Sequence, residues 1–263
     1  MARASTQATR TEAAGFALLR PIVRYVDEDQ AVVELHVRVK GWPVEDAPPD
    51  AATSLLVQIH EADGSVDDQC LPLVLTADAG MVSLTIVRPS RWWPAGMGAQ
   101  ALCDLQVSLL VNNEVRDART VRVGLTSVRP EDMPAGNGGH ALNMLVNGQP
   151  RPIRAVVAVD QADERGLLRV NGDALLLVRG HYGPDVLYDA ADRAGILLVQ
   201  CVPLHADGRP ETDVPDEVLR LATHPSLAGW FVGHLGRIAD RVGQAILALD
   251  PVHPVLRVLP RVS

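Results

Sequence analysis

The sequence predicts a two-layer β-sandwich followed by an α/β unit built on a parallel sheet. Three observations predict it. From residue 17 to residue 128, apolar and polar residues alternate in about seven short runs separated by turn residues, as strands with one buried face do. From residue 143 to residue 263, continuous apolar runs alternate with stretches of helical period. Between the two, residues 129–142 are rich in Pro, Gly and Asn and read as a linker.

Residues 1–16 are small and polar and read as a flexible tail. Ala31 to Val39 alternates after the acidic turn Asp27 to Asp29, and Gly41 to Asp50 is a loop rich in proline and acid. Ser54 to His60 is the next strand, closed by a turn at Asp63 and Gly64. Leu71 to Leu75 and Met81 to Val87 follow. Ala101 to Val111 and Val115 to Val123 pair around Asn112 and Asn113, because asparagine tolerates the left-handed backbone of a type I′ turn.

In the second half, Ala155 to Val159, Ala174 to Val178, Gly195 to Val202, Leu227 to Val232 and Val255 to Val258 read as five strands buried on both faces. Helices are expected at Pro184 to Arg193, Pro215 to Ala222 and Arg237 to Leu249. Pro184 suits a first helical turn and Gly195 the position just past the end. Strands separated by helices imply a parallel sheet with right-handed crossovers.

Composition narrows the function classes. Hydrophobic residues make up 47% and charged residues 21%, ordinary for a globular protein. The net charge of −8 argues against a nucleic-acid or anionic-membrane partner. No apolar run reaches membrane-spanning length, and Met1 to Gly15 lacks the core of a signal peptide, so a cytoplasmic location is expected. Cys70, Cys103 and Cys201 form no C-x-x-C pair and read as buried thiols. The histidines lack metal-site spacing, Ser90 and Ser127 sit in no nucleophile elbow, and Gly136 to Gly139 lacks a phosphate loop's lysine. No metal and no cofactor are expected.

Five stretches carry a family likeness, and they fall in the family's order. These are Arg91-Trp-Trp-Pro-Ala-Gly-Met-Gly98 with Ala101 to Leu105, Asn147-Gly-Gln-Pro150 within Asn143 to Pro152, Arg179-Gly-His-Tyr-Gly-Pro184 with Asp192 to Leu198, His224-Pro-Ser-Leu-Ala-Gly-Trp-Phe-Val-Gly233, and Asp250-Pro-Val-His-Pro254. Together they resemble glycoside hydrolase family 2, the β-galactosidase, β-mannosidase and β-glucuronidase type. The resemblance implies that the sandwich is immunoglobulin-like. It also implies that the second half is an incomplete (β/α)₈ TIM-type barrel of about five strands, opened by the Asn147-Gly148 strand.

The resemblance also locates what is changed. Aligned on Trp230 and Gly233, the family's asparagine position holds His234, and its acid/base glutamate position holds Leu235. Leucine neither donates nor accepts a proton. The family's nucleophile is a second glutamate on a late barrel strand, and the sequence ends at Ser263 before such a strand, so that carboxylate is expected to be missing. Gln161 to Asp173 is too short for the first barrel helix. No catalytic residue is therefore assigned. Arg179, His181, His234 and Leu235 stand as a vestigial substrate pocket, with structural roles as the alternative: Arg179 paired to Asp185 or Asp189, His181 capping a loop. Trp230 reads as core, and Trp92 and Trp93 as filling between the two halves.

Two functions compete. One is a non-catalytic interaction or scaffold protein; the other is a carbohydrate-binding or residual O-glycosyl hydrolase completed by a partner chain. Five strands of the eight that closure requires would leave a bare apolar concave face. Three remedies are open: the sandwich folds over the face, the helices redistribute to both sides, or another chain covers it; the third, a homo-oligomer or a stable protein complex, is favoured.

Overall fold

The computed structural model describes residues 14–42, 52–131, 142–159, 174–205, 207, 209–210, 214–233 and 236–256. Strands β1 (Gly15–Val26), β2 (Gln30–Lys40) and β5 (Ala79–Val87) form one antiparallel sheet, in the order β1-β2-β5. Strands β4 (Val66–Pro72), β3 (Thr53–His60), β6 (Cys103–Val111) and β7 (Glu114–Val123) form a second, in the order β4-β3-β6-β7. Period-two alternation sends Val33, Leu35 and Val37 of β2, Leu55, Val57 and Ile59 of β3, and Leu105, Val107 and Leu109 of β6 into one shared core. Asn112 and Asn113 both take positive φ, 52° and 64°, so the β6–β7 turn has the expected conformation.

Four boundaries differ from the sequence reading. Gly15 and Phe16 are not tail but the start of β1, fastened where Phe16 N donates to Asp117 Oδ2 at 2.8 Å. Strand β4 runs from Val66 to Pro72 instead of Leu71 to Leu75. It is an edge strand, largely exposed on both faces, so its ladder to β3 holds it without an apolar stripe. Arg129 and Pro130 are not linker but part of β8 (Val128–Pro130). Asn143 to Pro152 is not one strand opening the parallel sheet. It is a hairpin, β9 (Leu142–Val146) and β10 (Gln149–Ile153), turned by Asn147 and Gly148 at φ 49° and 81°. With β8 it makes a separate three-stranded sheet.

The parallel sheet begins at β11 (Ala155–Val159) and continues through β12 (Ala174–Val178), β13 (Leu198–Cys201), β14 (Leu227–Phe231) and β15 (Val255–Leu256), in sequence order. Helices α1 (Asp185–Ala194), α2 (Val214–Leu221) and α3 (Arg237–Leu249) supply Leu187, Val218 and Ile246 to Leu176, Val178 and Leu198 on one face. The other face was expected to be bare. It is filled from within the chain: Leu175, Leu177, Val199 and Ala228 are buried with Trp92, Val128, Met144, Val146 and Ile153. The small sheet and the Trp92 segment cover these residues from within the chain.

The two regions are stitched by hydrogen bonds. From β1, Arg20 donates to the carbonyl of Asp216 at 3.2 Å and Arg24 to that of Leu249 at 3.3 Å. Ala95 N donates to the Gly195 carbonyl at 2.8 Å. Gly195 ends α1 in the left-handed conformation, φ 69°, and a Cβ there would lie 2.5 Å from Ala95 N. Gly195→Ala is expected to destabilise by more than about 1 kcal/mol, because both the backbone angle and the contact oppose it. A thermal melt reads this as a fall of at least roughly 2–4 °C.

Candidate functional site

In a parallel α/β sheet the loops after the strands' carboxyl ends are where chemistry is placed. After β12 the chain runs Arg179, Gly180, His181, Tyr182, Gly183 and Pro184 into α1. One residue organises this loop. Gln200, fully buried at the end of β13, accepts from Gly183 N at 3.1 Å and Tyr188 OH at 2.8 Å, and donates to the carbonyls of His181 at 2.8 Å and Cys201 at 2.6 Å. All four amide valences are used, which is what lets a primary amide sit in an apolar sheet. The signal was in the sequence: Gln200 is the lone polar residue in the run Ile196 to Val202.

Of the four expected pocket residues, two are placed by the structure. Arg179 is exposed, and His181 is partly buried with Nδ1 3.2 Å from the Arg179 carbonyl. Burial pushes the Cys201 thiol up, while the charge of Arg179 pulls the other way, so the guanidinium acts on the carboxyl end of β13. Asp185, one proposed partner of Arg179, is engaged by Arg220, which also takes Glu217 Oε2 at 2.5 Å. Asp189, the other, lines a cleft with Arg122 and Arg193. His234, Leu235 and the Gln161–Asp173 segment lie outside the described residues. Among the described residues that follow β12, β13 and β14 up to the next helix, the one carboxylate is Asp207. Arg209 holds it, Nε to Oδ2, at 2.7 Å.

At the strands' amino ends, facing the antiparallel sheets, two buried carboxylates fasten residues of the quoted sequence blocks. Asp192 Oδ2 lies 2.7 Å from His224 Nδ1 and its Oδ1 accepts from Ser226 N at 3.0 Å. Its carbonyl accepts from Trp92 Nε1 at 2.8 Å. Asp250 Oδ2 accepts from Trp230 Nε1 at 2.8 Å and lies 2.8 Å from His253 Nδ1. Asp250 is wholly buried; burial by itself raises its pKa, but His253 and Trp230 together bring it below the usual carboxylate value. Trp230 and Trp92 are also wholly buried.

The fold gathers one group that linear spacing did not reveal. Ligand atoms of Asp189, Asp192 and His224 lie within 4.8 Å of one another. Both oxygens of Asp192 are spent on the protein's own donors, and Arg122 and Arg193 line the same ≈170 Å³ cleft. The group therefore works as a fastener between α1 and the start of β14.

Fold and site together define a mostly β protein with a five-stranded parallel sheet, whose described strand-end loops carry Arg179, His181 and Asp207. No protein-family model matches the chain. It is 28% identical over 206 residues to an exo-β-D-glucosaminidase of Amycolatopsis orientalis, covering 67% of this chain and 20% of that protein. It is 25% identical over 230 residues to β-mannosidase A of Emericella nidulans, covering 70% and 23%. Among solved structures, the A. orientalis exo-chitosanase superposes with a TM-score of 0.65 at 22% identity over 94% of this chain and 32% of that one. A β-D-mannosidase from Dictyoglomus thermophilum gives 0.70 at 21% identity over 92% and 34%. A glycosyl hydrolase family 2 member from Bacteroides cellulosilyticus gives 0.67 at 18% over 91% and 36%. The chain is thus a relative of the glycoside hydrolase family 2 enzymes. It spans about a fifth of the length of the curated relatives it matches.

Proposed function

We propose that this chain is a non-catalytic relative of the family 2 glycosidases that acts as an interaction or scaffold component. In this reading the first seven strands are an immunoglobulin-like sandwich, and residues 143–263 an incomplete (β/α)₈ barrel that keeps the frame without the hydrolytic chemistry. The observation that carries it is Leu235, which stands where the family motif has its proton donor, in a Phe231 to Gly236 segment without any carboxylate. Retaining hydrolysis needs two carboxyl groups about 5–5.5 Å apart, and Asp207, the one carboxylate among the described residues of these strand-end loops, is bound to Arg209. Among the described residues β11 and β15 are the outer strands of the parallel sheet, and outer strands can pair with a partner chain, which supports a role in assembly.

Incubation with aryl β-glucosaminides, β-mannosides, β-galactosides and β-glucuronides is expected to give no turnover above background. A Leu235→Glu variant is expected to stay inactive, because one restored carboxyl group is not the pair that retaining hydrolysis needs. Turnover abolished by substituting Arg179 or His181, or activity appearing in L235E, would overturn the reading.

A further inference from the structure

Among the described residues the two antiparallel sheets end in four outer strands, and three of these are blunted as sheet edges usually are. β4 carries Asp67 and Asp68, β7 carries Arg116 and Asp117, and β1 carries Arg20 and Pro21. β5 is the exception: Ala79 to Val87 holds neither a charge nor a proline. Half of the exposed large hydrophobic side chains among the described residues lie on β4, β5 or the link between them: Val66, Val74, Met81 and Val87.

The ladder shows which backbone groups of β5 face outward. At its two ends the Asp78 carbonyl accepts from Val39 N at 2.8 Å, and Arg88 N donates to the Asp29 carbonyl at 2.7 Å, so the even-numbered residues bond to β2. Backbone direction alternates along an antiparallel strand, so the groups of Met81, Ser83, Thr85 and Val87 point away from β2. The Thr85 carbonyl does so, and accepts from Gln69 Nε2 of β4 at 2.6 Å. The side chains of these four residues are exposed, whereas Val82, Leu84 and Ile86 are buried in the sandwich core.

The edge is complementary to itself. An antiparallel two-fold pairing centred on Leu84 sets Met81 opposite Val87 of a second copy, and Ser83 opposite its Thr85. Apolar then meets apolar and hydroxyl meets hydroxyl, both favourable cross-strand pairs. The same pairing brings Arg88 of each copy to the Asp78 end of the other, so the charges that bracket the strand are opposite in sign where they meet. For copies that each carry a net charge of −8, an uncharged strand is where two can approach with least repulsion. We propose that the β5 edge is a homodimer interface, at which two chains pair β5 antiparallel and join their three-stranded sheets into one continuous sheet. Gln69 gives up the Thr85 carbonyl on pairing. The proposal is independent of whether the strand-end loops carry any chemistry.

The test is sedimentation equilibrium of the full chain, with amide hydrogen exchange measured on the same samples. A dimer of micromolar affinity is expected, because a ladder over one strand is a small interface. Raising the concentration should slow exchange at Met81, Ser83, Thr85 and Val87, and leave β11 and β15 unchanged. Ser83→Lys and Thr85→Pro should each weaken the dimer about tenfold or more. Val115→Lys, at an exposed position on β7, should not. Ser83 and Thr85 are exposed and give β2 no backbone bond, so both variants retain the fold. A chain that stays monomeric at high micromolar concentration would overturn the proposal. So would a dimer whose protected amides lie on β11 or β15, or one that neither variant weakens.

Discussion

Asp250→Ala is expected to destabilise the chain by about 2–6 kcal/mol, because it leaves two buried partners without their acceptor at about 1–3 kcal/mol each. The indole N–H of Trp230 and the imidazole of His253 would lose their acceptor in a site from which water is excluded. For a chain of this size, that is a fall of roughly 10 °C in melting temperature. The same carboxylate gives an acid limb. Its folded pKa lies below its unfolded value of about 3.9. The stability it adds is therefore fully present above that unfolded value, and is lost as pH falls through the depressed folded value. Melting curves from pH 6 downward should show wild type losing stability below about pH 4, and Asp250→Asn losing less of it over that range. Parallel acid limbs in the two proteins would place the titration elsewhere.

Trp92→Ala is expected to be comparably damaging, about 3–5 kcal/mol. Trp92 is wholly buried among Val128, Met144, Ile153 and Leu175, and its indole N–H is the bond to Asp192 that joins the antiparallel sheets to α1. Trp92→Phe keeps most of the volume and loses the hydrogen bond, and should cost about 1–2 kcal/mol. Beyond stability, the wild-type chain should scatter X-rays as one rigid particle. Trp92→Ala should broaden the interdomain distances if folding survives. Wide interdomain freedom in the wild type would contradict the stitching by Arg20, Arg24, Ala95 and Trp92.

Elements with a clear period were legible in the sequence. Arg237 to Leu249 is a helix at the expected bounds, and Asn112 and Asn113 make the expected turn, because each depends on neighbours in the chain. β1 was not drawn as a strand, since Arg20, Pro21 and Arg24 interrupt its pattern. Pro21 is tolerated there because β1 is an edge, and the two arginines are used on α2 and α3. β4 was misplaced because an edge strand exposed on both faces has no alternation to read. Of the pocket residues, Arg179 and His181 do follow a strand end, while Gln200, which orders their loop, was passed over as part of an apolar run.

By itself, the sequence determined the three helices, most of the strands and their order, the family likeness and the leucine at position 235. These follow from local periodicity and from motifs that survive as strings of residues. Tertiary structure alone decided what each motif residue does. Asp192 and His224, and Asp250 and Trp230, are 32 and 20 positions apart. They meet only because the crossovers set the start of β14 beside α1, and the Asp250 turn that leads from α3 into β15 beside Trp230 of β14. The inner face of the parallel sheet likewise looked unprotected in one dimension. It is buried because the β9–β10 hairpin folds across it, and a hairpin's destination is set by which apolar surface it covers, not by its own sequence.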